Sequence, residues 1–268
     1  MKRTAISLVS FEAKRCVITA LICVSFALCA IIAGNVEAAD RKTPFLPGEK
    51  LTFRAVWGVI PAGEVTLEIL PIETVNGSEA YHFAMTTKTN EFVDLIYKIR
   101  ERQDSYIDIG MTHSILYKKR AEGEHPRDVV IHFDWDKREA TRSNFGEKMA
   151  PVHIVPGTFD PLALFYVIRL QDIKKNPVFT IPITEGDRNI SVKATVSQRE
   201  RIEIDGRTYE TFAVMPDMER LETQQVVKKS DASELKIWFT ADDEKIPVRI
   251  RSKVKVGHFD FDLIKRER

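Results

Sequence analysis

Residues 158–171 have the sequence TFDPLALFYVIRLQ, in which Asp160-Pro161 precedes seven successive apolar residues. Aspartate is a preferred residue just before a helix, and proline fits the first helical position because its missing N–H has no partner there. A helix that is apolar around its whole circumference is normally buried on all sides. The stretch therefore predicts one buried helix at about residues 161–171, bounded downstream by Pro177.

Most of the remaining chain has the alternating pattern of β-strands. Leu51, Phe53 and Ala55 alternate with Thr52 and Arg54, which is the period-two pattern of a half-buried strand. The strands predicted on this basis are 51–57, 65–69, 81–89, 99–109, 114–122, 128–136, 139–144, 189–204, 208–215, 236–240, 247–256 and 259–263.

Turn signals join several of these strands. Asn76-Gly77 and Asp205-Gly206 tolerate the positive φ of a tight hairpin turn. Charged residues on one strand face, such as Arg100 and Arg102, are typical of an antiparallel sheet with one face in water. Many strands joined by short turns hide their edges by curling. The sequence thus predicts a mainly β protein, whose curved antiparallel sheet forms an open barrel or spiral with one buried helix.

The N-terminus has the layout of an export signal. Cys16, Cys23 and Cys29, the only cysteines of the chain, lie in an apolar stretch at residues 16–33. Basic side chains precede this stretch and small residues follow it, as in secretory signal peptides. We predict a signal peptide at 1–38, cleaved after Ala38, and a single exported, periplasmic domain at 39–268 without cysteine chemistry.

Two alternatives to cleavage remain open. An uncleaved stretch at 16–33 would anchor the protein to the inner membrane, because its length approaches that of a membrane-spanning helix. A lipoprotein would need Cys29 to be acylated, which Leu28 before it disfavours.

The charge balance limits the partners of the mature chain. Residues 1–38 hold four of the 40 Lys+Arg and two of the 39 Asp+Glu, so their removal leaves a formal charge of −1. Nucleic-acid binding and polybasic membrane binding both need a concentrated basic face. We therefore expect no nucleic-acid partner, and membrane association only through an uncleaved N-terminal segment.

No catalytic motif emerges from the chain. It contains no G-x-S-x-G, H-E-x-x-H, G-x-G-x-x-G or P-loop pattern. His132, Asp134 and Asp136 would share one face of a strand and could ligate a metal, but a solvated polar face is the favoured interpretation. The sequence predicts no catalytic residue, no metal and no cofactor, and a protein that is not an enzyme.

Carboxylate pairs leave one enzymatic alternative. Two carboxylates that face each other across a cleft can hydrolyse a glycosidic bond. The pairs that motivate an envelope glycan hydrolase are Asp134 with Asp136, Asp242 with Asp243, and Asp260 with Asp262.

Three motifs resemble a known family of exported bacterial proteins. They are Phe45-x-Pro47-Gly48-Glu49-x-Leu51-x-Phe53 with Trp57-Gly58-x-x-Pro61-Ala62-Gly63, Thr158-Phe159-Asp160-Pro161-Leu162-x-x-Phe165-Tyr166-x-x-Arg169, and Trp238-Phe239-Thr240-x-Asp242-x-x-x-Ile246-Pro247-Val248-Arg249. Together they resemble the family called domain of unknown function 3108 (DUF3108). The resemblance implies a mostly β envelope protein with a central helix, and brings no activity or ligand with it. The implied architecture is similar to that of periplasmic carriers of lipids and lipoproteins, an analogy of fold alone.

Aromatic residues and two arginines supply the candidate binding site. Aromatic side chains either line an apolar cavity or fill a core, and the set considered is Trp57, Phe92, Tyr97, Trp135, Phe165, Tyr166 and Trp238. Arg169 and Arg249 lie in apolar surroundings, so each needs an ion-pair partner or a bound anion. The candidate ligand-binding residues are Trp57, Tyr166, Arg169, Trp238 and Arg249.

These observations predict a non-catalytic periplasmic or cell-envelope protein that binds a hydrophobic ligand, such as a lipid, or an envelope protein partner. A purely structural interaction module is a further alternative. An apolar hollow inside the sheet would favour a carrier, and a filled interior would favour a scaffold.

Overall fold

A single antiparallel sheet dominates the computed structural model, which describes residues 43–123, 125–222, 225–228, 234–253 and 257–268. Within these ranges the strands are β1 (Lys50–Trp57), β2 (Ile60–Val75), β3 (Ser78–Thr89), β4 (Ile99–Asp108), β5 (Ser114–Gly123), β6 (Arg127–Asp134), β7 (Glu139–Asn144), β8 (Glu147–Lys148), β9 (Val152–His153), β10 (Val178–Thr184), β11 (Asn189–Ile204), β12 (Arg207–Glu222), β13 (Gln225–Lys228), β14 (Leu235–Thr240), β15 (Pro247–Lys253) and β16 (His258–Glu267). The helices are α1 (Glu91–Asp94) and α2 (Leu164–Leu170).

The strand order joins the two halves of the chain through its first and last strands. It runs β10-β11-β12-β14-β15-β16-β1-β2-β3-β4-β5-β6-β7-β8, with β13 beside β12 and β9 beside β7. The β1–β16 ladder extends from Lys50 opposite Glu267 to Trp57 opposite Phe259. Residues Thr43–Arg268 accordingly form one compact unit.

The segment between β8 and α2 connects the two ends of this sheet. β9 pairs with β7, and a few residues later Phe159 makes a parallel bridge to Ile183 of β10. The Phe159 N–H donates to the carbonyl of Pro182 over 2.9 Å, and the Thr184 N–H donates to the carbonyl of Phe159 over 2.9 Å. The sheet is open but curved and barrel-like, so the predicted fold class is confirmed.

Helix α2 lies inside the curved sheet, and most of its side chains are buried. The Asp160 carboxylate accepts the N–H groups of Leu162 and Ala163 over 2.9 and 3.1 Å, as a capping residue does. Regular helix spans only Leu164–Leu170, because residues 161–163 form a turn and Gln171 is extended. The predicted helix is thus present and buried, and it is shorter than the expected 161–171.

Aromatic side chains fill the space beside the helix. The Tyr166 ring stacks on Phe83 at a centroid distance of 3.8 Å, and Phe45 meets both rings edge-on at 5.6 Å. All three residues belong to the main hydrophobic core. The interior next to the helix is therefore packed with side chains.

Several predicted boundaries are wrong. The strand expected at 128–136 ends at Asp134, because residues 135–138 form a turn. Strand β10 and helix α1 were not expected, since both segments are short and lack a clear period.

The predicted signal peptide, its cysteines and the possible anchor lie outside the described residues. Among the described helices, none is long and apolar enough to cross a membrane.

Candidate functional site

The five predicted ligand-binding residues lie at three separate places. Tyr166 and Arg169 are in the interior, on α2. Trp238 of β14 lies opposite Arg249 of β15, on the sheet face away from the core residues Ile237 and Phe239. Trp57 ends β1 and is stacked on Phe259 at 6.2 Å. The structure therefore does not bring the five into one pocket.

Arg169 has a buried carboxylate partner. Its guanidinium donates to both carboxylate oxygens of Glu49 over 2.5 and 3.1 Å, and both side chains are almost fully buried. It also donates to the carbonyls of Glu244 and Pro44 and lies 5.1 Å from the Phe45 ring centroid. Of the two roles that the sequence leaves open, the structure shows the ion pair.

Arg249 is likewise paired, on the opposite face of the sheet. It donates to both oxygens of Asp262 over 2.5 and 2.9 Å. Arg251 holds Asp260 in the same bidentate way, over 2.6 and 2.7 Å. Burial by itself would raise the pKa of Asp260, but the hydrogen bond from Arg251 and the positive charges of Arg251, His258 and Arg249 together outweigh it and lower that pKa.

The other carboxylates singled out in the sequence are held by turns. Asp242 accepts the Thr240 hydroxyl over 2.6 Å and two backbone N–H groups of its own turn. Asp134 accepts the side chain and backbone N–H of Lys137, which lowers its pKa. Asp136 lies in the turn after β6 rather than on the strand of His132. No group of three possible metal ligands occurs among the described residues.

The most exposed large apolar side chains are concentrated at one end of the sheet. Val59, Leu95 and Ile96 are 92%, 85% and 79% exposed. They lie in the β1–β2 turn and the β3–β4 connection, which share one end because these strands are antiparallel neighbours. We call this surface the apolar rim, and its residues are Trp57, Val59, Ile60, Phe92, Leu95, Ile96 and Tyr97.

Asn90 ties the two loops of the apolar rim together. Its side chain accepts the Val93 N–H over 2.9 Å, capping α1, and donates to the carbonyl of Pro61 over 2.6 Å. Its own N–H donates to the carbonyl of Ala62 over 3.0 Å. Gly63 allows this approach, because a Cβ there would overlap the Lys88 carbonyl. The apolar side chains are therefore presented by an ordered framework.

A polar cleft of about 500 Å³ lies beside the rim. It is formed by the inner face of β4 to β7 and by the β10–β11 turn, where Gly186 packs against the stem of Arg142. Its lining residues are Tyr97, Glu101, Gln103, Tyr117, Lys119, Ala121, His125, Arg127, Val129, Ile131, Arg142, Pro161, Glu185 and Arg188. Tyr97 belongs to both the polar cleft and the apolar rim.

Hydrogen bonds organise the floor of the polar cleft. Lys119 Nζ lies 2.9 Å from Glu101, which also accepts the side-chain amide of Gln103 over 2.6 Å. The Tyr117 hydroxyl donates to Gln103 over 2.8 Å, and burial raises the pKa of Tyr117. The floor is thus a fixed polar surface inside an otherwise apolar sheet.

Cations outnumber carboxylates in the lining, four to two. Arg142 lies 3.6 Å from Asp187, and Arg188 pairs with Glu185. Arg127 differs, because its guanidinium donates to the carbonyl of Pro126 over 3.1 Å and lies within ion-pair distance of no described carboxylate. The cleft therefore carries a local excess of positive charge.

Sequence reasoning missed both surfaces. It treated Phe92 and Tyr97 as core or cavity residues. It placed Glu101 on the opposite strand face from Arg100 and Arg102, but favoured solvated faces and kept an anion-binding groove only as an alternative. One signal in the sequence could have indicated the apolar rim. Residues 92–97 are rich in apolar side chains although they connect two strands, and such connections lie on the surface and are usually polar.

An open, curved antiparallel sheet around a short helix defines a barrel-like β protein. The fold is similar to a crystal structure from Brucella abortus, described as a beta-barrel-like protein of domain of unknown function DUF1849. The TM-score is 0.53 at 10% identity, and the match covers 82% of this chain and 97% of that chain. At this identity the likeness concerns the fold alone.

The chain belongs to the family described as Protein of unknown function (DUF3108), which matches residues 52–264. The resemblance carried by the three motifs is thereby confirmed. No curated protein matches the chain.

Proposed function

We propose that this chain is a non-catalytic protein of the bacterial cell envelope that binds an apolar partner through its apolar rim. The partner is a hydrophobic ligand, such as a lipid, or the apolar surface of another envelope protein. The observation that carries the proposal is the clustering of Val59, Leu95 and Ile96, all nearly fully exposed, on two loops tied together by Asn90. Exposed apolar clusters on folded proteins mark interaction sites.

The position of the apolar surface favours binding at the rim over enclosure beside the helix. The space next to α2 is occupied by rings in contact, with Phe83 and Tyr166 only 3.8 Å apart. The rim, by contrast, combines the half-exposed amphipathic aromatics Trp57 and Tyr97 with highly exposed aliphatic side chains. Tryptophan and tyrosine suit boundaries between apolar and wet surroundings.

The hydrogen bonds that the candidate carboxylates already make within the protein support a non-catalytic role. Asp260 and Asp262 are each held by an arginine, and Asp134 and Asp242 are held by turn donors. A general acid must carry a proton, whereas the contacts of Asp134 and Asp260 lower the pKa of each and so stabilise the ionised form.

Recovery of the protein with its bound partner tests the proposal. The full chain is isolated from the envelope fraction of its own cells and analysed by native mass spectrometry, lipid extraction and crosslinking. We expect Leu95→Ser/Ile96→Ser to lose most of the bound lipid or crosslinked partner, because it removes the two exposed tips of one loop.

The matched control is Ile72→Ser/Ile109→Ser, which changes two exposed isoleucines at the other end of the same strands. Equal behaviour of the two double variants would overturn the proposal, since binding would then not depend on the rim.

A further inference from the structure

We infer that the polar cleft is the binding site for the anionic head group of an amphiphile whose apolar part lies against the apolar rim. The inference rests on the proposed function and names the class of its ligand. The shared chemistry is a phosphate or carboxylate group joined to a hydrocarbon chain.

The first support is continuity between the two surfaces. Tyr97 is half exposed, contributes its side chain to the apolar rim, and lines the polar cleft. Leu95 and Ile96 precede it directly in the chain. An amphiphile that contacts the rim near Tyr97 would therefore place its polar end at the mouth of the cleft.

The second support is the sign of the charge. Glu101 is neutralised by Lys119 and Glu185 by Arg188, so the carboxylates of the lining are already engaged. Arg127 keeps its guanidinium without a carboxylate among the described residues. An arginine fork binds phosphate and carboxylate oxygens in pairs, which gives strength and geometry together.

The third support is partial burial of the other cations. The side chains of Lys119 and Arg142 are 33% and 23% exposed. Charges that are partly removed from water attract an anion more strongly than charges on an open surface do. Because Lys119 is paired with Glu101 and Arg142 with Asp187, a ligand anion at this mouth would meet Arg127 as the cation without a described carboxylate partner, and two partly buried ion pairs behind it.

The size of the cleft suits a head group. Small-molecule sites commonly enclose about 300–1,000 Å³, and this cleft has about 500 Å³. Its floor of Glu101, Gln103 and Lys119 is polar and hydrogen-bonded. A hydrocarbon chain in the cleft would offer these polar groups no hydrogen-bond partner. The hydrocarbon part of the amphiphile therefore lies on the apolar rim.

Water-soluble probes test this inference without a bilayer. Dihexanoyl phosphatidylglycerol, dihexanoyl phosphatidylcholine and glycerol phosphate are titrated below any micelle concentration into the full chain, purified in the N-terminal form that its cells produce. We expect the anionic phospholipid to bind tighter than the zwitterionic one, and glycerol phosphate to bind most weakly.

Single substitutions then test the contribution of the head group to binding separately from that of the hydrocarbon chain. Arg127→Gln should weaken binding of the phosphatidylglycerol probe about tenfold, as expected for one lost charge-assisted contact. It should weaken binding of the phosphatidylcholine probe less, because the choline cation already offsets the charge of its phosphate. Arg127→Lys should recover part of the loss. The matched control is Arg120→Gln, which removes one cation from β5 at a 72% exposed site outside the cleft.

The outcomes distinguish the two proposals. Equal binding of both phospholipids, or equal effects of Arg127→Gln and Arg120→Gln, would overturn the head-group inference alone. Tight binding of glycerol phosphate by itself would assign the cleft to a free phosphate compound instead. If Leu95→Ser/Ile96→Ser left the affinity for both phospholipids unchanged, the proposed function would be overturned.

Discussion

Glu49 and Arg169 are 120 residues apart in sequence and form a bidentate ion pair in which both side chains are almost fully buried. The pair joins the segment before β1 to the last turn of α2. Through the Glu244 carbonyl, Arg169 also contacts the β14–β15 turn. Arg266 extends the connection, since it donates to both oxygens of Glu244 over 2.9 Å. These contacts fix the helix against both halves of the sheet.

Removing one member of this pair should strongly destabilise the protein. Arg169→Met removes both guanidinium hydrogen bonds of the buried Glu49 and leaves it only Arg266, 3.7 Å away. We expect the free energy of unfolding to fall by about 3–5 kcal/mol. Urea denaturation followed by circular dichroism measures this change. The double variant Glu49→Leu/Arg169→Met should recover about half of the loss, because the uncompensated charge is gone while the carbonyls remain unpaired.

The control for this prediction is an exposed ion pair. Arg54 lies 2.7 Å from Asp205, with both side chains about half exposed. Arg54→Met should lower the free energy of unfolding by less than about 1 kcal/mol. A similar loss in the two arginine variants would contradict the assignment of Arg169 as a central structural residue.

Gly63 should be far less tolerant of a side chain than Gly77. An alanine Cβ at Gly63 would lie 2.8 Å from the Thr89 Cα and overlap the Lys88 carbonyl, so β2 and β3 must separate there. Gly77 has a positive φ of 83° and open space around its Cβ position. Gly63→Ala should therefore reduce the thermal midpoint more than Gly77→Ala, whose cost is backbone strain of about 1 kcal/mol. Equal losses would contradict the close approach at Gly63.

The strands and the buried helix could be predicted because their signals are local. Alternation at Leu51 and Phe53 and the cap at Asp160 each act within a few residues. The neighbours of a strand depend on the path of the whole chain. Nothing near Lys50 indicates that β1 pairs with β16, more than 200 residues later. The charge on Arg169 showed that it needed a partner, but not that the partner was Glu49.

The apolar rim and the polar cleft were harder to predict, because exposure is a property of the assembled fold. The same alternation that turns Arg100 and Arg102 outward turns Glu101 inward, where it meets Lys119 of the next strand. An apolar residue such as Phe92 is usually predicted to lie in the core, but its side chain is 61% exposed in the structure. This exposure follows from the position of its segment at the end of the sheet, which the sequence does not reveal.

The Arg251–Asp260 pair should make stability sensitive to acid. Partial burial would raise the pKa of Asp260, but the hydrogen bond and charge of Arg251, together with the charges of His258 and Arg249, lower it in the folded state. Its contribution is therefore fully present above the unfolded pKa of about 4 and is lost as pH falls through the lower folded value. We expect Asp260→Asn to be less stable than the wild type at neutral pH, and the difference to shrink below pH of about 4.

Urea unfolding across this pH range measures the effect. Asp136→Asn, at an exposed turn position, is the control and should follow the wild-type curve. A constant difference between Asp260→Asn and the wild type at all pH values would contradict the prediction.

Loss of the Asn90 side chain should loosen the apolar rim without unfolding the sheet. Asn90→Ala removes the cap of α1 and the hydrogen bond to the Pro61 carbonyl, so the free energy of unfolding should fall by only about 1 kcal/mol. Amide hydrogen exchange should accelerate in residues 91–98, and binding of apolar probes should weaken because the loops must then be ordered on binding. Asn144→Ala removes one acceptor from the Asp128 N–H in the β6–β7 hairpin, and it should leave exchange in 91–98 unchanged. Faster exchange with unaltered probe binding would show that the rim works without a fixed framework, contrary to the role assigned to Asn90.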